Sequence, residues 1–123
     1  MEEFSKMFVV GAKDTAKEIG SGDLDVLATP AMLAMVENTA KDYLHKELAS
    51  EETSVGTLIE ARHLRPSKVG AEIMVKVKVK SQEKTKINFS FEALDNGQII
   101  ATGIHQRAVI LTDVFLDKLA HPK

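Results

Sequence analysis

The hydrophobic period of the chain changes along its length, and each change marks an element. Phe4 to Val10 is apolar enough for a first strand, whereas Lys13 to Lys17 mixes polar and small residues without a clear period. Gly20-Ser21-Gly22-Asp23 reads as a turn. Its glycine spacing fits no nucleotide-binding loop, and no Gly-Lys-Ser/Thr follows. Thr29-Pro30 predicts a helix start, with Thr29 as an N-cap hydroxyl and Pro30 at the first helical position. Ala31 to Val36 is wholly apolar, and Ala40, Tyr43 and Leu44 follow at helical distances. Such a helix should be buried on most sides, in the middle of the fold.

After the charged turn at Ser50 to Glu52 the period drops to two. Val55, Thr57, Ile59, Ala61 and His63 fall on one face of a strand that ends before Pro66. Ile73, Val75, Val77 and Val79 alternate with Lys76, Lys78 and Lys80, and Ile87, Phe89, Phe91 and Ala93 alternate with Asn88, Ser90 and Glu92. Asn96-Gly97 predicts a tight hairpin into a long strand from Gln98 to Leu111, and Val114 to Leu119 reads as a short closing helix. One weak strand, one buried helix and four strands joined by short turns make an α+β fold. An antiparallel sheet curled around a central helix buries both economically, with residues 1–123 in a single domain.

Composition narrows the function. At 44% hydrophobic and 28% charged, the 123-residue chain has the balance of an ordinary globular protein. Sixteen Lys plus Arg against eighteen Asp plus Glu give a net charge of -2, which supplies no general field for nucleic acid. The lack of cysteine removes disulfides, thiolate metal sites and cysteine nucleophiles. No apolar run approaches the ~18 residues of a membrane span, and Glu2 and Glu3 stand where a signal peptide would carry positive charge, so a cytoplasmic protein is expected.

Three residues could carry chemistry. Glu37 directly follows the six apolar residues of the central helix, where a carboxylate is costly unless paired or neutral. Its alternative is a surface ion pair with Lys41, four residues on. Thr29 lies eight residues before Glu37, about 80° past two full turns, so both can border one cavity without touching; simple capping would also explain Thr29. His63 shares its strand face with an apolar set, as a catalyst or a hydrogen-bonded core histidine would. His45, His105 and His121 have weaker claims, His105 because it falls in a polar part of a strand, and no pair has metal-ligand spacing. Lys76, Lys78 and Lys80 lack interleaved aromatics and read as a solvated strand face.

Val26-Leu27-Ala28-Thr29-Pro30-Ala31-Met32 through Glu37-Asn38, then Val55-Gly56-Thr57, Arg62-His63-Leu64 before Pro66 and Gly103-Ile104-His105-Gln106-Arg107, resemble the hot-dog thioesterases similar to fluoroacetyl-CoA thioesterase. These segments, from Val26 to Arg107, span about two-thirds of the chain in matching order and spacing. The resemblance implies the hot-dog fold, a five-stranded antiparallel sheet wrapped around a long central helix. It implies a catalytic triad of Thr29, Glu37 and His63, with Gly56 and Arg107 at positions contacting the acyl-CoA. It also implies a homodimer, or a higher oligomer built from it, with the sheets joined edge to edge and the sites near the subunit interface. Where the fluoroacetyl enzyme carries phenylalanines gating its acyl pocket, Glu18 to Ala28 contains no aromatic residue. Hydrolysis of another small acyl-CoA is therefore expected, with CoA as part of the substrate and no separate cofactor or metal. A protein that binds or senses acyl-CoA without turnover is the alternative. The CoA phosphates would need local cations, and Arg107, Arg62, Arg65 and Lys68 are the candidates.

Overall fold

The computed structural model describes residues 3–122. Strand β1 (Glu3–Val9) leads through a short 3-10 turn and the single-turn helix α1 (Ala16–Ile19) to the long helix α2 (Thr29–His45). Strands β2 (Glu52–His63), β3 (Glu72–Glu83), β4 (Lys86–Asp95) and β5 (Gln98–Leu111) follow, and helix α3 (Thr112–Ala120) closes the chain. The sheet is antiparallel with order β1-β3-β4-β5-β2, so β1 and β2 are its two edges. This is the expected α+β arrangement of five strands packed on one long helix, and it is hot-dog-like.

The alternating rows of β3, β4 and β5 form the inner face. Ile73, Val75, Val77, Ile87, Phe89, Phe91, Ala93 and Ala101 are all buried there, opposite Ala31, Met32, Met35, Val36, Ala40 and Leu44 of α2. Burial of this kind is worth about 25 cal/mol per Å² of apolar surface, which makes the α2–sheet contact the main stabilising surface. On the outer face Lys76 lies opposite Glu92 and Lys78 opposite Glu3, so the lysine row meets water and acidic neighbours. Asn96 (φ 52°) and Gly97 (φ 78°) form the two-residue hairpin between β4 and β5, where both central residues need positive φ.

Three expectations change. The helix begins at Thr29, but its N-cap is Ala28, and the Thr29 hydroxyl makes no capping bond. Helix α2 is not buried on most sides: Ala34 is exposed and Leu33, Glu37, Asn38 and Lys41 are half-buried, because the sheet covers a single stripe. The period-two row of β2 is broken by a bulge between Gly56 and Leu58, which places Gly56 opposite Arg107 and Leu58 opposite Gln106. Ser54, Gly56, Ile59, Ala61 and His63 therefore share the inward row, since their partners on β5 are the inward-facing ones, while Val55 and Thr57 leave it. A bulge inserts one residue without a distinctive composition, so alternation alone reads through it.

Gly103 is a fixed point of this packing. A Cβ there would overlap the Glu60 carbonyl oxygen and lie 2.7 Å from the Phe91 ring. Gly103→Ala is expected to cost roughly 1–3 kcal/mol, the usual range for overpacking. A urea unfolding midpoint unchanged from wild type would contradict this close approach.

Candidate active site

The N-terminus of α2 is delivered to the end of β2 by a strap of backbone hydrogen bonds. Leu27 N–H donates to the Ser67 carbonyl and Ala28 N–H to the Asp14 carbonyl, each at 2.8 Å. Isolated bridges Thr15–Leu27 and Val26–Lys68 hold the same segment from both sides. Beyond His63, the Leu64 N–H donates to the Ile100 carbonyl at 2.6 Å and fixes where β2 ends. Between these anchors the Thr29 hydroxyl meets His63 Nδ1 at 2.7 Å. The hydroxyl that the sequence assigned to capping is used on an imidazole.

His63 Nε2 is buried and has no hydrogen-bond partner among the described residues. Burial pulls the imidazole below its ordinary value near 6.5, and the Arg65 backbone opposes this more weakly, so the ring is neutral at pH 7. A cleft of about 300 Å³ opens over the pair, bordered by Ala16, Val26, Leu27, Leu64 and Arg65. No aromatic residue lines it.

Glu37 belongs to a second cluster. Its Oε2 lies 3.8 Å from Arg107 Nη1, with the carboxylate side chain 45% exposed and the guanidinium 7% exposed. Gly56 makes room for it, because a Cβ there would stand 2.5 Å from Glu37 Oε2. Arg107 Nε donates to Ser54 Oγ at 2.9 Å, Nη2 to the Ser54 carbonyl at 3.0 Å and Nη1 to His105 Nε2 at 3.2 Å. Burial lowers the Arg107 pKa and the Glu37 charge raises it, but a guanidinium remains charged at any ordinary pH.

The chain thus brings together Thr29 with His63, and Glu37 with Gly56 and Arg107, but not the pair with the trio. Along β2, Gly56 and His63 are separated by roughly 20 Å at the usual strand rise. The Glu37–Lys41 surface pair does not form; Lys41 Nζ is 3.4 Å from Asp42 instead. Three of the five Arg107 N–H donors go to Ser54 and His105. Arg62, Arg65 and Lys68 are exposed, and Arg65 borders the cleft. Sequence reasoning missed Ser54 and misplaced His105, which is 1% exposed in the core, not in a polar stretch. The available signal was its spacing from Arg107: residues 101, 103, 105 and 107 share one strand face.

A family profile described as fluoroacetyl-CoA-specific thioesterase matches residues 10–113. No curated protein sequence matches the chain. Among solved structures, a point mutant of the fluoroacetyl-CoA-specific thioesterase FlK superposes with a TM-score of 0.93 at 26% identity, covering 99% of this chain and 95% of that one. A hot-dog-like protein from Thermanaerovibrio acidaminovorans matches at 24% identity and TM-score 0.87, covering 96% and 87%. A thioesterase superfamily member from Thermus thermophilus matches at 22% and 0.87, covering 97% and 90%. Point mutants of FlK have been crystallised with fluoroacetate and CoA and with acetyl-CoA.

Removing the guanidinium should unsettle the fold. Arg107→Ala leaves Ser54 Oγ and carbonyl and His105 Nε2 without their donor, at about 1–3 kcal/mol for each buried group left unsatisfied. Its thermal midpoint should fall by several degrees, whereas Arg65→Ala should stay within a degree or two of wild type. Equal midpoints for the two variants would return Arg107 to the surface.

Proposed function

The chain belongs to the family of fluoroacetyl-CoA-specific thioesterases, and from that premise we propose that it hydrolyses a small acyl-CoA to the free acid and CoA, without selectivity for fluorine. The observation that carries this is the 2.7 Å contact between Thr29 Oγ1 and a neutral His63 beneath an open cleft. The cleft's lining of Ala16, Val26 and Leu27, small and aliphatic, supports an unspecialised small acyl group. One cytoplasmic domain does the chemistry, on acyl-CoA as the binding partner.

His63 takes the proton of the attacking oxygen, which is either the Thr29 hydroxyl or a water held against it. That oxygen adds to the thioester carbonyl, and the positive end of α2 favours the negative charge that develops there. The C–S bond then breaks, and His63 returns the proton to the departing CoA sulfur. With Thr29 as nucleophile, water repeats the sequence on the Thr29 ester to release the acid. Arg62, Arg65 and Lys68 face the CoA phosphates.

An imidazole that accepts a proton on Nδ1 from Thr29 carries one on Nε2, and among the described residues only the Arg65 backbone gives that proton weak support, with no acceptor at hydrogen-bond geometry. The missing acceptor is Glu37 of a second copy. Strand β2 is an edge with unpaired backbone groups. Antiparallel pairing of two β2 edges can set Gly56, with the Glu37 carboxylate above it, beside the other chain's His63. Thr29, His63 and Glu37 then act as one triad built from two chains, and the functional unit is a homodimer.

The decisive experiment combines a thiol-release assay over acyl-CoAs of graded length with subunit mixing. Glu37→Gln and His63→Ala should each lower kcat at least about a hundredfold. Mixed and re-equilibrated, the two variants should recover about a quarter of wild-type activity, because half the dimers then hold one intact site. No recovery means that the triad does not cross the interface; saturable acyl-CoA binding with no CoA release by wild type means a binding protein.

The acid limb follows from His63. Burial lowers its pKa and the partner's Glu37 carboxylate raises it, so the acid limb of kcat/KM should lie at lower pH in Glu37→Gln than in wild type. An acid limb that Glu37→Gln leaves in place would assign it to another group.

A further inference from the structure

We propose that His105 is a positioning residue for Glu37, acting through Arg107; the proposal rests on the thioesterase reading above. The imidazole is stacked on Phe89, with ring centroids 6.3 Å apart, in the core between sheet and helix. A polar ring in that position is costly unless both nitrogens are satisfied. Both are: Nδ1 lies 2.8 Å from the Leu58 carbonyl at the β2 bulge, and Nε2 lies 3.2 Å from Arg107 Nη1.

The partners dictate the proton. A carbonyl only accepts, so Nδ1 carries the hydrogen; a guanidinium only donates, so Nε2 is bare. A second proton would point at an Arg107 N–H, so the ring is held neutral in one tautomer.

That bare nitrogen is the third anchor of the guanidinium. Ser54 takes Nε and Nη2, and His105 takes Nη1. Glu37 Oε2 sits 3.8 Å from Nη1, near enough for attraction and too far for a hydrogen bond. The carboxylate is thus held over Gly56 by charge while its oxygens stay available for an incoming N–H donor. Nη1 carries two hydrogens and His105 takes one; without His105 both are free for Glu37, and a direct bond would draw the carboxylate inward and occupy it. The bond to His105 offsets part of the desolvation of Arg107, but stability alone does not call for the network, since apolar side chains of similar volume often replace a whole buried charged network at little cost. Preparing Glu37 to meet another donor does explain it.

The test uses the full chain. His105→Leu keeps volume and removes both bonds; His105→Gln keeps a donor and an acceptor. In the thiol-release assay His105→Leu should lower kcat by about tenfold or more while KM moves by less than about twofold, because Glu37 works in the transition state. His105→Gln should recover most of that loss. In a Glu37→Gln background, His105→Leu should cost nothing further. A further multiplicative loss there, or a KM effect as large as the kcat effect, would overturn the assignment. Should His105→Leu fail to fold, long-range 1H–15N spectra of wild type still decide. The imidazole signal that disappears in His105→Gln should show a protonated Nδ1 and a bare Nε2 from pH 8 to 6. An Nε2–H tautomer or an imidazolium would sink the proposal. Absence of thiol release from wild type would instead defeat the thioesterase reading, leaving the tautomer as a separate result.

Discussion

The contact between one stripe of α2 and the inner face of the sheet governs everything else in this molecule. A helix of 17 residues lies against five strands, and its apolar residues meet rows from β3, β4 and β5. The strands can cover one stripe only. Polar groups that must work at the core's margin therefore sit where that stripe ends: Thr29 at the start of the helix and Glu37 on its flank. Each is rigid because the buried stripe between them is rigid, and each stays open on its outward side.

The two polar clusters are built differently. At the helix start, backbone bonds from Leu27 and Ala28 to neighbouring loops aim a hydroxyl at an imidazole. On the flank, four side chains and one missing side chain do the work. Arg107 is a buried cation whose charge is balanced by a carboxylate that is half in water. Desolvation of such an ion costs several kcal/mol, offset here by hydrogen bonds to Ser54 and His105 as much as by Glu37. Gly56 contributes an absence, the volume in which the carboxylate rests.

Much of this was legible in the chain itself. The period change from helix to strand, Thr29-Pro30 and Asn96-Gly97 located α2 and the last hairpin, because each signal is local. The bulge at Thr57 was not legible, since it is a property of pairing rather than of composition, and it moved Val55 and Thr57 off the inward row. Thr29, Glu37 and His63 stood out by their positions on helix and strand, Gly56 and Arg107 came from a resemblance, and the structure sorts the five into two separate groups. His105 was hidden by its polar neighbour Gln106, which lies on the opposite face of the strand; flanking residues say little about a strand position whose neighbours alternate between core and water.

The unpaired β2 edge has a consequence for how such a protein would be controlled. In the two-chain reading, association assembles the triad as well as the fold, so output depends on protein concentration more steeply than in proportion. Below the dissociation constant the number of complete sites falls with the square of the chain concentration. A cell could then silence the activity by modest changes in abundance, with no inhibitor and no second binding site, and a non-productive chain that still offers its β2 edge would act as a dominant brake on its partners.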